Sequence, residues 1–259
     1  MKILFNKYEG AGNDFIIVRN APRLIDPSDK MLVSRLCDRR FGIGSDGLIL
    51  IEDCAGHDFR MVFINPDGMR GAMCGNGGRC AAHFAMRYMT GFRDLTFLAD
   101  DGAHTATWKG NDIIELSIGD VMGVTETEDG LVVNTGVPHL VVFTDDTDNI
   151  DVVASGRKLR HSQRYAPYGV NVNFVQINGD KLKVRTYERG VEDETFSCGT
   201  GVTASVIAAA ITGKIVTDNP VVSVRGGTLS VRYALNNDGA TNIWLSGPAT
   251  FVFSGEIEI

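Results

Sequence analysis

Met73-Cys74-Gly75-Asn76-Gly77-Gly78-Arg79 and Ser197-Cys198-Gly199-Thr200-Gly201-Val202-Thr203 are near-copies of one short sequence, 124 positions apart. Each opens a helix-forming run, over 80–88 and 203–211, and each follows a strand-like run, over 58–64 and 181–187. A thiol at the start of a helix lies among backbone N–H groups that lack intrahelical partners, at the positive end of the helix dipole. Those groups stabilise a thiolate and can hold a carboxylate beside it. Two such sites in one chain suggest two thiols facing one anionic substrate. The use of that arrangement is to take a proton from one face of a carbon and return it to the other.

The repeat also predicts the architecture. From Val202 to Ile211 the second helix is apolar on nearly every face, and a helix without a polar side is surrounded by protein. Each half is therefore expected to be a curved, mostly antiparallel sheet wrapped around a central buried helix whose N-terminus points into a cleft between the halves. The class is α+β, with two pseudo-symmetric domains over 1–118 and 119–249 and the last strand, 250–259, returning to the first. Helices are expected over 27–39, 77–88 and 200–211, with Gly213 as a C-terminal cap. Short alternating runs elsewhere read as strands, joined by turns such as Lys109-Gly110-Asn111-Asp112 and Asn236-Asn237-Asp238-Gly239.

Composition narrows the function. The 259 residues are enough for two domains with a buried core. A net charge of −7 disfavours a nucleic-acid partner, and no Lys/Arg-rich run argues otherwise. No apolar stretch approaches the ~18–20 residues that span a bilayer. The start, Met1-Lys2-Ile3-Leu4-Phe5-Asn6-Lys7, lacks a signal-peptide apolar core, so a cytoplasmic protein is expected. Five cysteines, an odd number, argue against a disulfide framework. Their spacing lacks a Cys-x2–4-Cys pair, so no metal is expected either. Cys37 and Cys54 read as packing residues. Cys80, nearly two turns beyond Cys74, is expected in the core.

Six ordered motifs then carry a resemblance over essentially the whole chain. They are Gly10-Ala11-Gly12-Asn13-Asp14-Phe15, Gly42-Ile43-Gly44-Ser45-Asp46-Gly47, Asn65-Pro66-Asp67-Gly68 leading to Met73-Cys74-Gly75-Asn76-Gly77, Gly136-Val137-Pro138-His139, Asn171-Val172-Asn173-Phe174, and Tyr187-Glu188-Arg189-Gly190 leading to Ser197-Cys198-Gly199-Thr200-Gly201. Together they resemble diaminopimelate epimerases, cofactor-independent enzymes of lysine and cell-wall precursor synthesis. The resemblance implies catalytic roles for Cys74, Cys198, His139 and Glu188. It implies substrate contacts for Asn13, Asn65, Gly75, Asn76, Asn171, Glu188, Arg189, Gly199 and Thr200, and a homodimer acting on a small amino acid. Glu188 and Arg189 would take the distal amino and carboxylate groups, for which a guanidinium offers a bidentate fork.

The chemistry accounts for those residue types. Epimerisation removes a very weakly acidic α-proton and replaces it on the opposite face. Other enzymes lend the carbanion to pyridoxal phosphate, and no phosphate-binding Gly-x4-Gly-Lys-Ser/Thr loop occurs here. Backbone donors at Gly75-Asn76 and Gly199-Thr200 would instead meet the charge developing on the carboxylate. One cysteine serves as thiolate base, the other as thiol acid.

Two positions depart from the family pattern: Val137 stands where many members carry Asn, and Gly47 where some carry Gln. Val137 keeps open a relative that acts on another amino acid, such as a histidine racemase. Proline racemases and hydroxyproline epimerases usually show Cys-Gly-His at the first site, where this chain has Asn76. From other classes, a thiol redox protein would want its cysteines close in sequence. A non-catalytic amino-acid-binding protein would need neither thiol. The run Glu192-Asp193-Glu194 is expected to be a solvated loop edge.

Overall fold

The computed structural model describes residues 2–71, 73–237 and 239–259, so Met1 of the expected first domain and Asp238 of the 236–239 turn lie outside the described residues. The first elements are β1 (Lys2–Gly10), β2 (Asn13–Arg19), α1 (Lys30–Cys37), β3 (Gly47–Glu52), β4 (Phe59–Ile64), α2 (Gly75–Ala85), a π-helical turn (Met86–Thr90), β5 (Asp94–Ala99), β6 (Gly102–Gly110) and β7 (Ile113–Ile118). There follow β8 (Val121–Met122), β9 (Val124–Thr127), β10 (Gly130–Asn134), β11 (Pro138–Phe143), α3 (Val152–Arg160), β12 (Asn171–Asn178), β13 (Lys181–Glu188) and β14 (Asp193–Thr195). The chain ends with α4 (Gly199–Ile211), β15 (Val221–Val224), β16 (Gly227–Asn236), β17 (Gly239–Pro248) and β18 (Thr250–Glu258).

Two compact units form, one from the chain up to Leu116 with Gly247–Ile259, the other from Ser117–Ser246. In the first, the strands pair in the order β18-β1-β2-β3-β4-β5-β6-β7. In the second, they pair in the order β9-β10-β11-β12-β13-β15-β16-β17. Both series run antiparallel, antiparallel, parallel, antiparallel, parallel, antiparallel, antiparallel. The units are thus the same fold twice, in a mostly antiparallel α+β class.

A parallel pair needs a crossover connection, and that is where the helices sit. α1 and α3 bridge the first parallel pair of each unit; α2 and α4 bridge the second. α2 packs against β1, β2, β3, β4 and β6, and α4 against the equivalent β10, β11, β12, β13 and β16. All of α2 is buried, and α4 is buried apart from Thr200 and its terminal Ile211. Each central helix is therefore enclosed by its own sheet.

The helix boundaries differ from expectation for local reasons. α1 starts at Lys30 because Asp29 caps it, its side chain accepting the Leu32 N–H at 3.0 Å. α2 begins two residues early and gives way at Met86 to the π-turn, which Gly91 closes at φ 70°. α4 ends as expected: Gly213 at φ 66° donates to Ala210 O, and Lys214 donates to Ala209 O.

The run 192–194 needs correction. Asp193 is exposed as expected, but the run is not a free loop: Asp193–Thr195 is a strand on β13, and Glu194 accepts from Arg185 Nε and Nη2 at 2.7 and 2.8 Å. Glu192, at φ 60°, accepts from Gly190 N–H, Arg160 and Tyr187. The Gly190 amide, with Arg160 and Tyr187, holds its carboxyl at about 2 despite partial desolvation.

α3 was not anticipated. Its residues bury only Val152 and Gly156 fully, so the apolar stripe is weak. The repeat nevertheless carried the signal, because moving α1 by 124 positions lands on 154–161. Gly156 lets α3 approach β13: a Cβ there would lie 2.3 Å from Tyr187 Cβ. Gly156→Ala is expected to lower unfolding free energy by about 1–3 kcal/mol through overpacking, read as a lower urea midpoint. An unchanged midpoint would show that α3 can move off the sheet without cost.

Candidate active site

In the first unit Cys74 occupies the N-cap of α2 with extended backbone (φ −100°, ψ 118°), and its carbonyl accepts the Gly78 N–H at 2.7 Å. Its side chain makes no capping bond. Gly77 and Gly78 let the sheet close on this turn, since Cβ atoms there would meet Ile49 Cδ1 at 3.2 Å and Met73 Cε at 2.9 Å. Cys80 lies in the core beneath, where burial pushes its thiol well up.

Asn13 and Asn76 come together beside Cys74. Asn76 Nδ2 donates to Asn13 Oδ1 at 2.6 Å, while Asn13 Nδ2 donates to Asp46 Oδ2 at 3.0 Å. Asp46 in turn accepts from Arg39 at 2.7 Å, and Arg39 forks onto Asp14 at 2.6 and 2.9 Å. Lys7 completes the chain, 2.7 Å from Asp14. Partial burial alone would raise the Asp14 carboxyl, but hydrogen bonds from Arg39 and Lys7 outweigh it and hold it at about 2. The motif Gly42-Ile43-Gly44-Ser45-Asp46-Gly47 thus serves to aim Asn13. Asn65 stands at the end of β4, half-buried, its carbonyl accepting the Gly68 N–H at 2.9 Å. The departure at Gly47 has a steric cause: a Cβ there would lie 2.4 Å from Phe63 Cε2. The Phe63 ring fills the space a longer side chain would need.

The second unit repeats the device with different chemistry. Cys198 is the N-cap of α4 (φ −123°, ψ 107°) without a side-chain capping bond, and Val202 N–H reaches its carbonyl at 2.9 Å. Its Sγ lies 3.4 Å from Thr200 Oγ1, which lies 3.0 Å from His139 Nε2. The His139 tautomer follows from its other side. Asn173 Nδ2 reaches Leu140 O at 3.2 Å, and a carbonyl only accepts, so this end of the amide carries the protons. The same Nδ2 lies 3.1 Å from His139 Nδ1, while Asn173 Oδ1 accepts from Thr186 at 2.9 Å. Nδ1 is therefore the bare nitrogen, and Nε2–H donates to Thr200. The Thr200 hydroxyl keeps a proton to give a thiolate and a lone pair to take from a thiol.

Burial, with the Arg189 charge, drives the fully buried His139 down to about 3. It is a neutral orienting group rather than an acid at ordinary pH. Asn171 holds the next pair of elements: its Oδ1 accepts the Arg189 N–H at 2.9 Å and its Nδ2 reaches Pro138 O at 3.4 Å. Arg189 Nη1 rests on the carbonyls of Tyr168 and Gly169. Glu188 precedes it, half-buried at the end of β13. Among the described residues no group of three or more His, Cys, Asp and Glu could hold a metal ion. No helix of the described residues is long and apolar enough to cross a membrane.

These two cysteine turns sit on a fold and sequence with known relatives. The sequence profile described as diaminopimelate epimerase matches residues 5–123 and 131–252. The diaminopimelate epimerase of Flavobacterium psychrophilum is 48% identical, over 97% of this chain and 98% of its own. That of Chlorobaculum tepidum is 39% identical, over 96% and 99%. The chain belongs to the diaminopimelate epimerase family. It is accordingly an isomerase of the epimerase type. Solved structures share the fold at low identity. A phenazine biosynthesis protein of the PhzF family from Bacillus anthracis superposes with TM-score 0.77 at 15% identity, covering 100% of both chains. A hydroxyproline epimerase from Agrobacterium vitis, with trans-4-hydroxy-L-proline bound, gives 0.70 at 15% identity, covering 99% of this chain and 92% of that one.

Three residues that pack against the two cysteine turns carry no distinguishing signal of their own in the sequence. Asp46 sits in a glycine-rich motif and Asn173 two residues after Asn171, and only folding brings them to Asn13 and His139. Arg79 closes the first cysteine motif, yet nothing in a lone Arg signals complete burial. The glycine at 201 was the available clue to Asn173: a Cβ there would lie 2.3 Å from its Oδ1.

The His139 assignment has a direct consequence. Nitrogen NMR is expected to show one Nε2–H imidazole with no titration between about pH 5 and 9; a midpoint in that window would refute the tautomer argument. The folded-state value lies below the unfolded ~6.5, so this histidine supports stability above that pH. The support is lost as pH falls from there towards about 3. Removing the ring, as in His139→Phe, should flatten that limb of a stability-versus-pH curve.

Proposed function

We propose that the chain epimerises LL-2,6-diaminopimelate to meso-diaminopimelate, using Cys74 and Cys198 as a thiolate–thiol pair and no cofactor, in the supply of lysine and peptidoglycan precursors. One observation carries the reading: a family member holds the same device twice, a cysteine at the N-cap of an enclosed helix with a glycine-rich first turn. The thiolate removes the α-proton while the opposite thiol delivers its own to the other face, so one turnover exchanges the two roles. Charge developing on the α-carboxylate is met by backbone N–H groups of Gly75, Asn76, Gly199 and Thr200. Thr200 supports Cys198 in both protonation states, with its own orientation set by neutral His139. Arg189 and Glu188 take the distal carboxylate and ammonium, while Asn13, Asn65 and Asn171 complete the substrate contacts. Cytoplasmic location and a homodimer with no membrane or nucleic-acid partner belong to the same proposal.

A second reading, racemisation of a different amino acid, draws on Val137, an apolar, half-buried side chain two residues before His139. Incubation with a panel of amino acids in deuterated water separates the two. Exchange at the α-carbon of diaminopimelate is expected, and exchange confined to another amino acid would favour the second reading.

Cys74→Ala and Cys198→Ala should each cut epimerisation by about 10²–10⁴ with circular dichroism unchanged. A single mutant that kept more than about a tenth of the activity would remove the two-base assignment. Arg189→Ala should harm diaminopimelate turnover far more than α-exchange on a short amino acid without a distal carboxylate. Equal losses on both would place Arg189 at the reacting carbon.

A further inference from the structure

The two units match strand for strand, but the fifth residue after each cysteine differs in charge. In α2 it is Arg79; in α4 it is Thr203. Arg79 is wholly buried, and its side chain runs back along the first turn. Nη1 reaches Gly75 O at 3.4 Å, Nη2 reaches Asn76 Oδ1 at 2.8 Å and Nε reaches Pro248 O at 3.3 Å. All three acceptors are neutral, and among the described residues Arg79 makes no ion pair. Thr203 merely returns its hydroxyl to Gly199 O at 3.0 Å.

A guanidinium keeps its charge in proteins, and a buried charge without a counter-charge is costly enough to need an explanation. The ionisable groups that act on Arg79 are Cys80, Cys74 and Glu9. Cys80 is held protonated by complete burial. Glu9, on β1, is turned to the Gly12 N–H at 3.2 Å on the exposed side. Cys74 remains, at the mouth of the turn that Arg79 lines. On the other unit the Cys198 Sγ lies 3.4 Å from the Thr200 hydroxyl, which neutral His139 orients, and the cation acting on His139 is Arg189. Arg189 is only half-buried, so water screens it, whereas Arg79 acts through protein alone.

We infer that Arg79 is a positioning residue that makes Cys74 the resting thiolate of the free protein and leaves Cys198 the resting thiol, an assignment that rests on the two-thiol reading above. Arg79 does this without touching substrate, by its charge and by fixing the Asn76 amide, whose Oδ1 it binds and whose Nδ2 is thereby aimed at Asn13. The reaction direction that begins with Cys74 as base then needs no prior proton shift.

The test is the pH dependence of iodoacetamide alkylation of the full chain, with each thiol followed by peptide mass spectrometry. Midpoints, unlike rates, do not scale with how readily the reagent reaches each sulfur, and the Arg79→Met comparison at one sulfur separates the effect of charge from that of burial. The Cys74 midpoint is expected at least about one pH unit below that of Cys198, a tenfold excess of thiolate. Arg79→Met should raise the Cys74 midpoint by about one unit and leave that of Cys198 in place, and Arg79→Lys should restore part of the shift. Equal midpoints in the unmodified protein, or a lower one for Cys198, would overturn the inference even if Arg79→Met failed to fold. So would a folded Arg79→Met with an unmoved Cys74 midpoint. Alkylation needs no substrate, so α-deuterium exchange judges the two-thiol reading separately. Exchange with equal midpoints sinks only the role of Arg79, while absence of exchange on every amino acid sinks the reading itself.

Discussion

The first turn of an α-helix presents N–H groups that the helix itself cannot satisfy, and in this protein two such turns are enclosed by sheet with a cysteine at the cap. A Ser or Asp in that place would accept one of those hydrogen bonds and close the end. Neither cysteine does so. The result is a pair of buried, electropositive helix ends with a polarisable sulfur at each. Much of the local sequence follows from that demand. Glycines at 77, 78 and 201 keep side chains out of a turn against which Ile49, Met73 and Asn173 are packed.

The same device is finished differently in the two units. The first relies on charge: a chain of Lys7, Asp14, Arg39 and Asp46 ends on Asn13, and a buried Arg79 ends on Asn76. Arg39 is largely exposed, and exposed pairs of this kind contribute little to stability, roughly 0–1 kcal/mol. Their value here is directional, because each bond leaves the next side chain one orientation. The second unit relies on neutral hydrogen bonds, from Thr186 and Asn173 through His139 to Thr200. A neutral imidazole with a fixed tautomer can orient a hydroxyl without adding a charge of its own.

Local signals were legible in the chain. The duplicated cysteine turns, the strand that precedes each and the Gly213 cap depend on neighbours within a few residues, and so did the enclosure of α4, whose apolar faces admit no solvent side. The family motifs were legible for the same reason, as short runs of defined residue types. α3 escaped because a helix that buries two residues leaves little periodicity, although the repeat would have placed it. The partners of Glu192 and Glu194 are not legible locally, because three acids in a row look solvated until Arg160 and Arg185, from other elements, are brought to them.

What the sequence alone determined is which residues exist in two copies and which backbone shapes they prefer: the α+β class, the two helix-capping cysteines and the glycine-rich turns. What only the tertiary structure decided is the state of the polar groups around them. The burial of Arg79, the bare nitrogen of His139 and the coupling of Asp46 to Asn13 arise from residues tens of positions apart, brought within hydrogen-bond reach by strand pairing. Burial and hydrogen bonding set charge and tautomer, and neither exists until the chain has folded.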